Sequence, residues 1–201
     1  GYELMMDEGR LNFALVHFYP GNEIRIRSKK KVSINAWHQV TTTYDGSSKA
    51  HGLSIYLNGE KLDCEVLSDH LTKEIYYSKP EAMRLAKEGE EKLKKANGGT
   101  QITIGALFRG SGLRNATVDD FYQFDRELTR LEARELYKAG NTAPSDEELF
   151  EYYLAHHSDA YAAAFTAVTA KRKNLNEFMN RQFHMMVMKE LPEPKKTYVL
   201  K

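Results

Sequence analysis

At 201 residues the chain can bury a real core as one large or two small domains. Its 29 Lys and Arg balance 28 acidic residues, which excludes a global field that would draw it to nucleic acid or an anionic membrane. The single cysteine, Cys64, excludes an internal disulfide, a thiolate zinc cluster and a CxxCH haem site within the chain, and no apolar run approaches the roughly 20 residues that cross a bilayer.

The chain opens without methionine, and Tyr2 to Met6 already pattern as a strand, so a piece of a longer protein is expected. Asp7-Glu8-Gly9-Arg10 reads as the turn of a hairpin whose second strand, Leu11 to Phe18, alternates Phe13, Leu15 and His17 against Asn12, Ala14 and Val16. Pro20-Gly21-Asn22 turns the chain again, and Glu23 to Ser28 sets Ile24 and Ile26 against Arg25 and Arg27. With Lys29, Lys30 and Lys31 those arginines form a basic cluster, open to a grip on phosphate or acidic glycan and equally to the charged outer face usual on antiparallel sheets.

From Trp37 to Glu60 the pattern is that of successive antiparallel strands. Trp37 to Tyr44 alternates with a period of two and places Trp37 in the core, Asp45-Gly46-Ser47-Ser48 breaks the run, and Leu53, Ile55 and Leu57 resume it. Asn58-Gly59 is the pair best suited to a tight hairpin turn, because both residues tolerate positive φ. Glu60 to Leu67 is then a further strand.

Ser78-Lys79-Pro80-Glu81 reads as a capping box opening a surface helix over about 79–96, stopped by Asn97-Gly98-Gly99. Gln101 to Gly105 and Ala116 to Phe124 return to alternation. Thr129 and Glu132 make a second capping box, predicting a short helix over Leu131 to Ala139. Ser145 with Glu148 caps another, with apolar stripes at Leu149, Tyr153, Tyr161, Phe165 and Val168 and a break near Ser158-Asp159. Leu175, Phe178, Met179, Phe183, Met186 and Val187 continue as an amphipathic helix that Pro192 and Pro194 end.

Trp37-His38, Tyr44-Asp45-Gly46, Ile55-Tyr56-Leu57-Asn58-Gly59, Ile104-Gly105, Val118-Asp119-Asp120-Phe121 and Phe124-Asp125-Arg126-Glu127-Leu128-Thr129 with Glu132 together resemble the laminin-G-like, concanavalin A-like jelly-roll family. The resemblance implies a mainly β fold: an antiparallel sandwich over residues 1–140 with a helical insertion, and a helical extension over 141–201 that begins a following domain. Ala14-Leu15-Val16-His17, Pro20-Gly21-Asn22, Asp69-His70-Leu71-Thr72 and Phe108-Arg109 are similar to the version embedded in large planctomycete-type proteins with cytochrome-c-like segments. That likeness implies an exported protein, periplasmic or at the cell surface. It also implies that the first strands of the sandwich are missing and that the exposed edge needs cover, from the helices or from a second chain.

Calcium is a candidate cofactor at Asp45, Asp119 and Asp120, because laminin-G-like folds bind the ion with oxygen ligands from rim loops. The plainer alternatives are that Asp45 is a turn residue and that Asp119 or Asp120 pairs with Arg126 or binds loop amides. Sugar binding needs flat aromatics with planar polar groups, and Tyr44, His70, Tyr76, Tyr77 and Arg109, beside Asp45, are the candidates. On a strand Asp119 and Asp120 point to opposite faces, which argues against a glycosidase pair. His156-His157 and His184 lack zinc spacing, and Ser111 lacks the first glycine of a nucleophile elbow. The methionine-rich stretch Met179, Met185, Met186 and Met188 suits packing against a neighbouring domain. A non-catalytic module is therefore expected, binding polysaccharide or glycoconjugate, with domain docking as the alternative and a glycoside hydrolase as the third reading.

Overall fold

The computed structural model describes residues 1–75, 102–106, 112–137, 143–183 and 185. Among them the fold is mixed rather than mainly β, with two antiparallel sheets and three helices. One sheet has the order β1-β2-β3-β7, from Tyr2–Asp7 (β1), Arg10–Phe18 (β2), Asn22–Ser28 (β3) and Cys64–Asp69 (β7). The other has the order β4-β5-β6, from Val40–Tyr44 (β4), Leu53–Leu57 (β5) and Glu60–Lys61 (β6).

Both predicted hairpin turns form as their sequences demand. Glu8 and Gly9 take φ of 49° and 79°, and Asn58 and Gly59 take 53° and 81°, the paired positive values that match the twist of flanking strands. Leu11, Phe13 and Leu15 of β2 meet Ile24 and Ile26 of β3 on one side of the core, and Leu53 and Ile55 of β5 close it from the other sheet. Val32, Ala50 and Leu71 fill its ends from loops.

The outer face of the larger sheet is roofed by ions. Glu3, Ala14 and Arg25 are cross-strand neighbours, and the Arg25 guanidinium bridges to both Glu3 and Glu23 while Ala14 between them is fully buried. Arg27 pairs with Glu65 at 2.8 Å. The basic face read from Arg25 and Arg27 is thus largely neutralised by carboxylates of its own sheet.

Several expected strands differ. The strand from Trp37 starts only at Val40, because its partner β5 supplies five residues and the ladder ends at the Val40–Leu57 pair. Trp37, expected in the core, is 70% exposed. The run Glu60 to Leu67 is divided at Leu62 and Asp63, where the chain crosses from the smaller sheet to the larger: Leu62 N donates to Ile55 O, and Asp63 O accepts from Lys29 N. Residues 102–105 and 116–124 form no strand. Asn115 and Asp120 take φ of 53° and 49°, which interrupts extended backbone, and Val118, Phe121, Tyr122 and Phe124 stay exposed without a neighbouring strand. The helix expected near 79–96 lies outside the described residues.

The helices are Arg130–Tyr137 (α1), Asp146–His157 (α2) and Asp159–Arg181 (α3). Both capping boxes form: Thr129 N donates to Glu132 Oε2 at 2.9 Å and Ser145 N to Glu148 Oε2 at 2.8 Å, with the reciprocal bonds present. Ser158 ends α2 and caps α3, accepting from Tyr161 N, where the sequence predicts a break. The amphipathic run expected to continue past Phe183 stops at Arg181. Gln182 is extended and Phe183 is 90% exposed, since periodicity without a surface to bury does not sustain a helix end.

Candidate functional site

The loop after β4 is built by its own hydrogen bonds. Asp45 Oδ1 accepts from Ser47 N at 2.8 Å, Tyr44 Oη accepts from Ser48 N at 2.6 Å, and Asp45 N donates to Gly52 O. A Cβ on Gly52 would collide with the Asp45 carboxylate, so glycine there makes room for the folded-back side chain. Asp69 Oδ1 accepts from Ala50 N at 2.7 Å, which ties the end of β7, and with it the exposed His70, to the same rim. Tyr44, Asp45 and His70 therefore lie at the same end of the two sheets. Tyr76, Tyr77 and Arg109 lie outside the described residues.

The candidate calcium ligands are not brought together. Asp119 Oδ1 accepts from the Asp120 amide at 2.9 Å, in coil rather than on a strand. Arg126 pairs with Glu132 rather than with either aspartate. Among the described residues no three His, Cys, Asp or Glu side chains form a group able to hold a metal ion.

A second polar constellation lies between the β5–β6 turn and the first two helices, in a crevice lined by Tyr56, Lys61, Arg130, Arg134, Ser145 and Glu148 among others. Gly59 lets α1 approach, since a Cβ there would stand 3.1 Å from Arg134 Cα. Arg130 grips Glu151 of α2 through Nε and Nη2, and Arg134 Nη1 donates to Glu148 at 2.8 Å. Glu132 is the hub: Arg126 Nη1 and Nη2 donate to it at 2.9 and 2.6 Å, Thr129 donates through N–H and O–H, and His156 Nε2 lies 3.0 Å from Oε1.

Burial pushes the Glu132 carboxyl up, but the Arg126 pair and the Thr129 donors outweigh it and hold it down at about 2. The Ser145 amide lowers Glu148, and the Arg130 pair lowers Glu151. Glu127 moves the other way, raised by desolvation and then by Asp45. Burial also raises the Tyr56 phenol, with the Glu127 and Glu151 carboxylates adding to it. Arg126 precedes α1, while Arg130 and Arg134 stand four residues apart on it, which places them on one side of the helix. Their partners Glu148 and Glu151 lie one turn apart on α2. That periodicity was the available signal, but which acid each arginine meets depends on how α1 and α2 cross.

The third feature is apolar. Neither α2 nor α3 has a buried residue, and Tyr161, Phe165, Val168 and Leu175 follow one another at helical spacing, each between 44% and 59% exposed. Loops of the sheet region reach α3 through hydrogen bonds: Arg172 Nη1 donates to Asp45 O, Lys73 Nζ to Gln182 O, and Glu74 N to Asn180 Oδ1.

These features define a two-sheet antiparallel scaffold with an ion-paired helical layer. No family model and no curated protein matches the chain. A crystal structure of an S-layer domain-containing protein fragment from Clostridium thermocellum is similar at 19% identity, with a TM-score of 0.33 over 68% of this chain and 63% of that one. The chain thus spans less than two thirds of that fragment, and a likeness of this size carries neither fold nor function across. No described helix is long and apolar enough to cross a membrane.

Proposed function

We propose that the chain is a non-catalytic interaction module of a larger exported protein, acting at the periplasmic or outer cell surface, whose helices dock neighbouring domains. Its two facing sheets are read as part of a laminin-G-like jelly roll. The observation that carries the docking role is the row Tyr161, Phe165, Val168 and Leu175, with Phe178 beside it, which α3 leaves uncovered. Soluble proteins rarely expose a contiguous apolar stripe without a partner for it.

Hydrogen exchange tests this. In the full-length protein the α3 amides are expected to exchange at least about tenfold more slowly than in the isolated 201-residue chain. Equal rates in both would sink the docking role.

A second role, glycan binding, is favoured by the convergence of Tyr44, Asp45 and His70 on one rim. A glycan array with and without calcium separates the two: binding abolished by His70→Ala supports the rim, and a blank array in both conditions leaves docking alone.

A further inference from the structure

Among the described strands β1 lies at the edge of its sheet. It pairs with β2 on one side, and among the described residues no strand pairs with the other. The register decides which backbone groups face that open side. Gly1 and Val16 exchange both hydrogen bonds, at 2.7 and 2.6 Å, and antiparallel partners alternate between bonded and non-bonded pairs. Glu3, Met5 and Asp7 therefore turn their N–H and C=O groups toward Ala14, Asn12 and Arg10, while Tyr2, Leu4 and Met6 turn theirs outward.

The same three residues carry their side chains on the inner face, in line with Leu15, Phe13 and Leu11. The smaller sheet does not reach them: Tyr2, Leu4 and Met6 are 44%, 47% and 55% exposed. Among the described residues, an apolar row and a set of backbone groups without a partner strand thus coincide on one edge, with Ile75 O accepting from Gly1 N at its start.

We propose that this edge is a homodimer interface, in which a second copy of the chain adds its β1 antiparallel about a two-fold axis at Leu4. Only registers that pair outward residues with outward residues satisfy the backbone. Centring the axis on Glu3 sets two glutamates face to face, and centring it on Met5 sets Glu3 against Asp7; like charges directly opposite are destabilising. Centring it on Leu4 pairs Leu4 with itself, Tyr2 with the partner's Met6, and Glu3 with the partner's Met5. Every outward N–H and C=O then has a partner, the apolar row continues from one copy into the next, and thioether meets aromatic ring at both ends. The contact is isologous, so it closes at two copies.

Sedimentation equilibrium on the 201-residue chain is expected to show a dimer that dissociates on dilution. Leu4→Lys and Leu4→Glu should each raise the dissociation constant by about tenfold or more, because the axis sets the new charge against itself, and an equimolar mixture of the two should restore dimers. In a Cys64→Ser background, Leu4→Cys should oxidise to a covalent dimer and Tyr2→Cys should not. Position 4 is half-exposed, and circular dichroism matching the parent protein checks that each variant folds. A monomer at every concentration up to about 100 µM overturns the proposal, whatever else covers β1. So do dimers that ignore both charges, or equal cross-linking from positions 2 and 4.

Discussion

The two sheets and the helices are held by different means. Around β2, β3 and β5 the contacts are carbon on carbon, with Ile24 and Ile55 fully buried. Across α1 to α3 only Ala133 is buried within a helix, and the elements are joined by arginine–carboxylate pairs, capping boxes and a few hydrogen bonds to loops. Apolar burial has no protonation step of its own and is not screened, whereas ionic and capping contacts depend on protonation and are screened. One chain therefore contains a part whose stability is set by packing and a part whose stability is set by charge.

The largest expected effect separates the two directly. Ile55→Ala removes core volume that cannot collapse and should cost about 3 to 4 kcal/mol in denaturant unfolding. Leu175→Ala, on a side chain 59% exposed, should cost below about 0.5 kcal/mol. Equal costs would erase the distinction.

Gly59→Val acts at the seam. A β-branched residue is strained at a φ of 81°, and its Cβ would press on Arg134 Cα. A loss of about 2 kcal/mol is expected, with faster hydrogen exchange in α1 than in β2. A loss confined to β2 would mean that α1 does not rest on this turn.

Glu132→Ala should cost about 1 to 2 kcal/mol through the lost cap and Arg126 pair. Its pH dependence sharpens the contrast. The Glu132 carboxyl is depressed in the folded chain, from 4.5 to about 2, so its contribution is complete above about pH 4.5 and drains away as pH falls toward 2. Glu148 and Glu151 are shifted in the same direction, and Glu127, being raised, opposes them. Hydrogen-exchange protection of the helix amides should therefore fall in acid before that of the β2 and β3 amides does. Simultaneous loss would show that the layers unfold as one.

Local features were legible in the sequence. The hairpin turns at Glu8-Gly9 and Asn58-Gly59, the caps at Thr129 and Ser145, the break at Ser158, and the strands of the larger sheet's hairpins depend on residues a few positions apart. Features that need a distant partner were not. Alternation over Ala116 to Phe124 states a preference for extended backbone but supplies no adjacent strand, and Trp37 lost its burial because β5 ends at Leu57. For the rim, the sequence named Tyr44, Asp45 and His70 but not that Asp45's carboxylate is held by Ser47 or that Asp69 ties the rim together. The Arg130–Glu151 and Arg134–Glu148 pairs depend on a helix crossing that neither segment encodes alone.

Ala14 shows how tightly the outer face of the larger sheet constrains its sequence. Its methyl group is fully buried on the face where Arg25, opposite it on β3, reaches across to Glu3, opposite it on β1. The tolerance for substitution at position 14 is therefore governed by the length of two flexible charged arms, so that serine should be housed there readily while valine or leucine would have to lift the guanidinium into water.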